Sequence, residues 1–159
     1  MSDEAARLVL QSILAYGISD RFIGATRDFA PDDKTRFAVR LQVFVGETQD
    51  GAPDSFDVTV CSPTWLVDNF GHFTGNSPAN SDVVVGHGVW LQEFWNADEI
   101  QKTLETLVRS AVAPDWPDLA NWLGRYVPWE YSYKYDRDHG VVVDIETVYP
   151  QFRRNNAGD

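Results

Sequence analysis

The sequence predicts an α+β fold, in which a mostly antiparallel β-sheet carries two consecutive helices packed on one face. Two stretches, residues 36–45 and 54–61, alternate between apolar and polar side chains and are joined by a polar turn region. A period of two with β-branched and aromatic residues on one face is typical of half-buried strands. Residues 97–112 instead carry an apolar stripe at helical spacing, and a second helical pattern follows at 116–124.

The N-terminal segment, residues 5–14, fits the apolar pattern of a strand and also that of a helix. Leu8 and Leu10 would share one face of a strand, whereas Val9 and Ile13 would share the stripe of a helix. The periodicity alone leaves both alternatives open.

The central stretch, residues 36–61, predicts an antiparallel hairpin. The Asp50–Gly51 pair suits a turn with positive φ, and Pro63 ends the pairing because proline has no N–H to donate. The inward faces are expected to consist of Phe37, Val39, Leu41, Val43 and Val45 in the first strand and Phe56, Val58 and Val60 in the second.

The middle of the chain is rich in residues that favour loops. Residues 68–82 contain two Gly, three Asn, two Ser and one Pro, a composition that predicts a long surface loop. Residues 83–93 then predict a strand. Gly86 and Gly88 within it indicate a bulge or a close approach of two backbones.

Both predicted helices carry start and stop signals. Asn96 suits the N-cap of the first, with Glu99 at the capping-box position, and Pro114 ends it. Gly124 suits the C-terminal end of the second. The stripe expected to face the hairpin consists of Ile100, Leu104, Leu107, Val108 and Ala111.

The C-terminal part, residues 129–136 and 140–148, predicts a second hairpin. Aromatic residues alternate from Trp129 to Tyr135, and the sequence DRDHG would form the turn. An exposed edge strand at this position could pair with a second copy of the chain, so a homodimer is one alternative.

Composition and charge narrow the classes of function. The 159 residues predict a single domain spanning 1–159. Thirteen Lys and Arg against 24 Asp and Glu give a net charge of −11. That balance argues against direct binding of nucleic acid, whose phosphates are met by basic side chains. It is compatible with a basic protein partner, because complementary potentials speed association.

The location of the protein is predicted from its cysteine content and its N-terminal segment. Cys61 is the only cysteine, so no intrachain disulfide can form, which favours a reducing compartment. The N-terminal segment is acidic where a signal peptide is basic, and no stretch reaches about 18 uninterrupted apolar residues. We expect a cytoplasmic protein with no export signal and no membrane span.

No motif for catalysis or metal binding stands out in the sequence. His72, His87 and His139 are separated by 15 and 52 residues, whereas zinc ligands usually include one short spacing. No serine lies in the strained elbow sequence of a nucleophile. We therefore expect no catalytic residue, no metal and no cofactor.

Three pieces of the chain resemble the immunity protein 8 family, whose members protect bacteria from toxins of polymorphic toxin systems. These pieces are RFAVRLQVFVG, DSFDVTVCSPTWL and PDWPDLANWLGRYVPWEY, which together span roughly residues 36–131. The resemblance implies a non-enzymatic α+β domain that binds and neutralises a cognate toxin. It also favours a strand over a helix near residues 6–13, and it leaves 136–159 as a C-terminal extension.

The predicted function is therefore neutralisation of a cognate toxin, by covering its active or substrate-binding surface. A basic nuclease-type domain is one candidate partner. The predicted contact surface combines the hairpin tip with the following loop: Glu47, Asp50, Asp54, Trp65, Asp68, Phe70, Phe73 and Asp82. Aromatic anchors in a polar rim are typical of tight protein interfaces. The alternative is a small hydrolase or carbohydrate-binding protein that uses the 68–82 loop and nearby Trp residues.

Overall fold

The computed structural model of the chain describes residues 5–74 and 78–148, and a five-stranded sheet lies at its centre. The strands are β1 (Ala6–Arg7), β2 (Val9–Tyr16), β3 (Phe22–Gly24), β4 (Ala38–Gly46), β5 (Asp54–Cys61), β6 (Val89–Leu91) and β7 (Val112–Ala113). The central sheet has the order β3-β2-β4-β5-β6, and β1 pairs separately with β7. All neighbours are antiparallel except β6, which runs parallel to β5.

The helices flank this sheet, and the predicted α+β fold class is confirmed. They are α1 (Pro63–Asp68), α2 (Phe70–Thr74), α3 (Ala97–Arg109), α4 (Trp116–Leu123), α5 (Ser132–Asp138) and α6 (Ile145–Val148), with short 3₁₀ turns at Thr26–Asp28 and Pro78–Asn80. The consecutive helices α3 and α4 contribute their buried residues to the same apolar cluster as the inward residues of β4 and β5. None of the helices in the described ranges is long and apolar enough to cross a membrane.

The central hairpin forms as predicted, and the apolar side chains predicted to face inward are the ones that are buried. Val39 pairs with Val60 and Val43 with Phe56, and all four side chains are almost completely removed from solvent. Burial of one such side chain contributes about 1.5–3 kcal/mol to folding. The hairpin therefore supplies one wall of the core.

The turn of this hairpin differs from the prediction. Neither Asp50 nor Gly51 adopts a positive φ. The strands end at Gly46 and resume at Asp54, so the connection is too long to require a tight primed turn. The Gln11 side-chain amide ties it to β2 by donating to the carbonyl oxygens of Thr48 and Gly51, both at 2.8 Å.

The N-terminal segment forms a strand, which resolves the ambiguity in its sequence. β2 pairs with β4 from Val9, opposite Gly46, to Tyr16, opposite Arg40. Ile13 and Ala15 on β2 are buried in the core. β1 covers the predicted start at residues 6–7, and β2 extends three residues beyond the predicted end.

The helix α3 begins where its signals predicted and ends earlier. The Asn96 side chain accepts a hydrogen bond from the N–H of Glu99 at 3.2 Å and caps the helix. Of the predicted stripe, Ile100, Leu104 and Val108 are buried, whereas Leu107 and Ala111 are half-buried. The predicted end at residue 112 is wrong, since Val112–Ala113 pairs with β1 instead.

The helix α4 matches its prediction within one residue. The Asp115 side chain caps it by accepting from the N–H of Asp118 at 3.3 Å. Leu119, Ala120 and Leu123 form its buried face. Both α3 and α4 thus place buried residues in the cluster that contains the inward face of the hairpin.

The second hairpin, predicted for residues 129–136 and 140–148, is wrong. Trp129 forms one isolated antiparallel bridge with Phe56, after which the chain turns into α5 and then α6. The edge strand on which pairing with a second copy was predicted is thus not present in residues 5–74 and 78–148.

The outer edge of β5 explains this difference, because two short segments already fill it. The N–H of Glu130 donates to the carbonyl of Ser55 at 3.2 Å, and the N–H of Asp57 donates to that of Pro128 at 3.0 Å. β6 pairs with the remaining residues, 59–61. A longer strand here would find no free edge of β5.

The stretch between β5 and α3 is more helical and less extended than predicted. The predicted loop at 68–82 includes the end of α1, all of α2 and a 3₁₀ turn, while residues 75–77 lie outside the described ranges. The predicted strand at 83–93 is reduced to β6. The close backbone approach is confirmed at Gly88, whose carbonyl accepts from the N–H of Thr59 at 2.8 Å.

Candidate functional site

The structure divides the predicted contact residues between two ends of the β4–β5 hairpin. The end at the connecting turn, here called the turn end, carries Glu47, Asp50 and Asp54. The opposite end, here called the exit end, is followed by Trp65 and Asp68 on α1, Phe70 and Phe73 on α2, and Asp82 in the segment before β6. Since β5 has eight residues, its two ends are about 25 Å apart. The predicted residues therefore do not form one contiguous patch.

The exit end is organised by a cluster of rings. Trp65, His72 and Phe73 meet edge to face, with ring centroids 5.1–6.0 Å apart. The Asp68 carboxylate forms an ion pair with Arg36. At the exit end, the Asp68 carboxylate and the ring of Trp65 thus already contact other groups of the chain.

The turn end is organised by Asp54. Its Oδ2 atom accepts a hydrogen bond from the indole N–H of Trp116 at 3.0 Å and another from that of Trp129 at 3.0 Å. These tryptophans lie 62 and 75 residues further along the chain. Glu47 and Asp50 are exposed on the connection that precedes Asp54. Asp54 therefore joins the hairpin to α4 and to the segment that precedes α5.

A cleft of about 340 Å³ opens next to Asp54, and we call it the aromatic cleft. Its wall contains the rings of four residues and the side chains of two more residues on or next to α5. Besides Asp54, the lining includes Trp116, Trp129, Tyr131 and Tyr135, together with Lys134 and His139.

The rings of the aromatic cleft are fixed by one another. Trp129 contacts Tyr131 and Tyr135 with centroid separations of 6.2 Å each, and its other side stacks on the buried Phe56 at 6.4 Å. Tyr135 stacks on His139 at 4.0 Å. Ring contacts of this kind add to the stability that burial provides, so the cleft has defined walls.

The surroundings of the aromatic cleft are negative. The Tyr135 hydroxyl donates to Asp118 Oδ1 at 3.0 Å, and this hydrogen bond raises the pKa of the phenol above its ordinary value. The charges of Asp115, Asp118 and Asp136 raise it further. The cleft is therefore suited to positively charged groups more than to anions.

The sheet face opposite α3 and α4 carries a positive charge that is already paired. The Arg40 guanidinium forms ion pairs with Asp57 at 2.8 Å and Asp20 at 3.3 Å, and it lies 4.4 Å from the ring centroid of Tyr16. The two carboxylates neutralise the guanidinium, although its buried Nε atom makes no hydrogen bond to the residues that the structure describes, and this pairing leaves the face less available to a partner.

The one thiol of the chain is buried, and the described ranges hold no cluster of metal ligands. Cys61 is fully buried, and burial raises the pKa of its thiol to about 11. A protonated thiol is a poor nucleophile, so Cys61 is a packed, unreactive side chain. Residues 5–74 and 78–148 contain no group of three or more His, Cys, Asp or Glu that could hold a metal ion.

Sequence reasoning selected Asp54 for its charge and missed the aromatic cleft. Trp116 and Trp129 are ordinary core tryptophans by pattern, and nothing in their spacing links them to an aspartate more than 60 residues earlier. The one available signal is the density of aromatic residues from Trp129 to Tyr135, which was interpreted as a strand.

Comparison with known proteins identifies the family. The family described as Immunity protein 8 matches residues 12–133, a span that runs from β2 to the start of α5 and includes Asp54, Trp116 and Trp129. No curated protein and no solved structure matches the chain. Since the family match covers well over half of the sequence, the chain belongs to the Immunity protein 8 family.

Proposed function

We propose that this protein binds a cognate bacterial toxin and neutralises it by covering the toxin's active or substrate-binding surface. Membership of the Immunity protein 8 family over residues 12–133 carries this proposal. The protonated, buried thiol of Cys61 supports a binding role over nucleophilic chemistry. No bond is made or broken by the protein itself.

The charge of the chain supports a basic partner. A net charge of −11 attracts a positively charged domain, such as a nuclease-type toxin, and speeds the encounter at low salt. The single cysteine suits the reducing cytoplasm as the place of action.

The turn end is the contact surface that the geometry supports best. Glu47 and Asp50 are exposed and free of ion pairs within the described chain, and Trp116 lines both the aromatic cleft and the depression that Glu47 lines. At the exit end, Asp68 is neutralised by Arg36 and Trp65 is occupied by its ring cluster. We therefore place the toxin over the turn end, with Asp54 at the margin of the cleft.

A growth-rescue assay tests the function. The toxin domain encoded beside this gene is expressed alone and together with the immunity protein, and the purified pair is tested for complex formation and residual toxin activity. We expect rescue, a stable complex and loss of toxin activity in proportion to complex formed. Cells that die equally with and without the protein would refute the proposal, and turnover of a small molecule or binding of a sugar would favour the alternative.

Charge reversal tests the placement of the contact. The double variant Glu47→Lys/Asp50→Lys should slow association with the toxin at low salt and flatten its dependence on salt concentration. Asp82→Lys makes a charge reversal after the exit end and should change the association rate by less than about twofold. A stronger effect of Asp82→Lys than of the double variant would place the contact at the exit end.

A further inference from the structure

The Asp54 carboxylate has one oxygen held by the chain and one that remains available. Both indole N–H groups donate to Oδ2. No donor within the described ranges forms a hydrogen bond to Oδ1. A carboxylate fixed in this way loses little freedom when it accepts a further hydrogen bond from a ligand.

The rings beside it provide a surface for a cation. Trp116, Trp129, Tyr131 and Tyr135 line the aromatic cleft together with Asp54. Aromatic faces attract cations, and Trp is the strongest of them. Trp129 already stacks on Phe56 and Tyr135 on His139, which leaves Trp116 and Tyr131 as the rings for stacking. A volume of about 340 Å³ is at the lower end of the range for ligand clefts, about 300–1,000 Å³. The cleft is thus suited to one side chain more than to a large ligand.

From this combination we infer that the aromatic cleft receives one arginine side chain of the toxin. The inference rests on the proposed function and deepens it by naming the chemistry of the partner's contact residue. A planar guanidinium can stack on an aromatic ring and donate to a carboxylate at the same time, which a lysine ammonium does less well. Arginine, tryptophan and tyrosine are also the residues that dominate the energetics of protein interfaces.

The negative charges around the aromatic cleft favour an arginine side chain in it. Asp118 and Asp138 lie on the helices that border it, and both are negative, as is Asp54. Lys134 is the competing cation on the rim, but it is exposed and forms no ion pair within residues 5–74 and 78–148. An incoming guanidinium therefore has no internal salt bridge to break.

The first test uses small probes and needs no toxin. N-acetyl-arginine amide is titrated into the whole protein at constant ionic strength, and the indole N–H resonances of Trp116 and Trp129 are followed by NMR. The uncharged isostere N-acetyl-citrulline amide is the matched probe. We expect saturable shifts in the millimolar range with the arginine probe and at least about tenfold weaker binding of the citrulline probe. Equal responses to the two probes, or no saturable shift below about 50 mM, would overturn the inference.

The second test uses Asp54→Asn, which keeps the shape and an acceptor oxygen but removes the charge. Asp32→Asn makes the same charge change at an exposed position away from the cleft. Asp54→Asn should abolish the arginine-specific shift and weaken toxin binding at least about tenfold, whereas Asp32→Asn should stay within about twofold. Tyr131→Ala removes a ring that is 42% exposed and should weaken binding without unfolding the chain.

The toxin-binding assay and the probe titration test the proposed function and the arginine site separately. A wild-type protein that binds no toxin refutes the proposed function, while the probe titration still decides whether the cleft accepts a guanidinium. Toxin bound equally well by Asp54→Asn, with that variant confirmed as folded by its urea midpoint, refutes the cleft as the arginine receptor and leaves the proposed function standing.

Discussion

Replacing Leu104 with alanine tests the docking of α3 on the sheet. Leu104 is fully buried, and its neighbours on the stripe, Ile100 and Val108, are 5% and 4% exposed. The close packing on both sides leaves little room for collapse, so we expect a loss of about 3 kcal/mol, within the range of ~2–5 kcal/mol for such changes. Leu107 is only half-buried. Leu107→Ala is therefore the matched control, with an expected cost of about 1 kcal/mol.

Urea unfolding, followed by both tryptophan fluorescence and far-UV circular dichroism, measures the difference. With a denaturant slope of about 2 kcal/mol per molar urea, Leu104→Ala should lower the midpoint by about 1.5 M and Leu107→Ala by about 0.5 M. The two probes should report the same midpoint in each variant. A cost for Leu104→Ala that does not exceed that for Leu107→Ala would refute the assigned orientation of α3.

Three further positions give predictions of known sign. Gly88→Ala should destabilise the fold by about 1–3 kcal/mol, because Gly88 has a φ of +81° and an added Cβ would lie 2.8 Å from Pro128 Cγ. Gly71→Ala on α2 meets no atom within 4 Å and should be neutral or slightly stabilising, by the same urea assay. The Cys61 thiol should react with a thiol reagent at pH 8 only on unfolding, and reaction as fast as in urea would contradict its burial. The pKa of the Cys61 thiol is about 11 in the folded protein and 9.0 ordinarily, so the thiol of the unfolded chain loses its proton at a lower pH than the thiol of the folded protein. Stability should therefore fall as pH rises from about 9 to about 11, and Cys61→Ala should reduce that fall, leaving the part that the raised pKa of Tyr135 contributes.

The parts of the fold that follow from local chemistry could be read from the sequence. The hairpin was predictable because a period of two in apolar residues has only one way to bury its apolar face. The start of α3 was predictable because Asn96 satisfies an N–H group that the helix itself leaves unpaired, whatever packs against it.

The C-terminal region was not predictable in this way. The alternation from Trp129 to Tyr135 fits a strand, but it also places Tyr131 and Tyr135 four residues apart, on one side of a helical turn. The choice depended on whether β5 had a free edge. Residues 128–130 and β6 share that edge, and this is a property of the assembled sheet.

The candidate site, too, could be predicted from the sequence only in part. The sequence predicts one contact surface made of the hairpin tip and the loop that follows the second strand. In the structure β5 holds the two ends about 25 Å apart, and α1 and α2 keep the connection at the exit end.

By itself the sequence determined the net charge, which is a sum over all residues. It also determined the central hairpin, the two capped helices and the family resemblance, each of which depends on short stretches of the chain. Only the tertiary structure decided that Asp54 meets two tryptophans from distant segments and that a cleft forms beside them. Contacts over more than 60 residues depend on how the elements pack, and no local pattern encodes them.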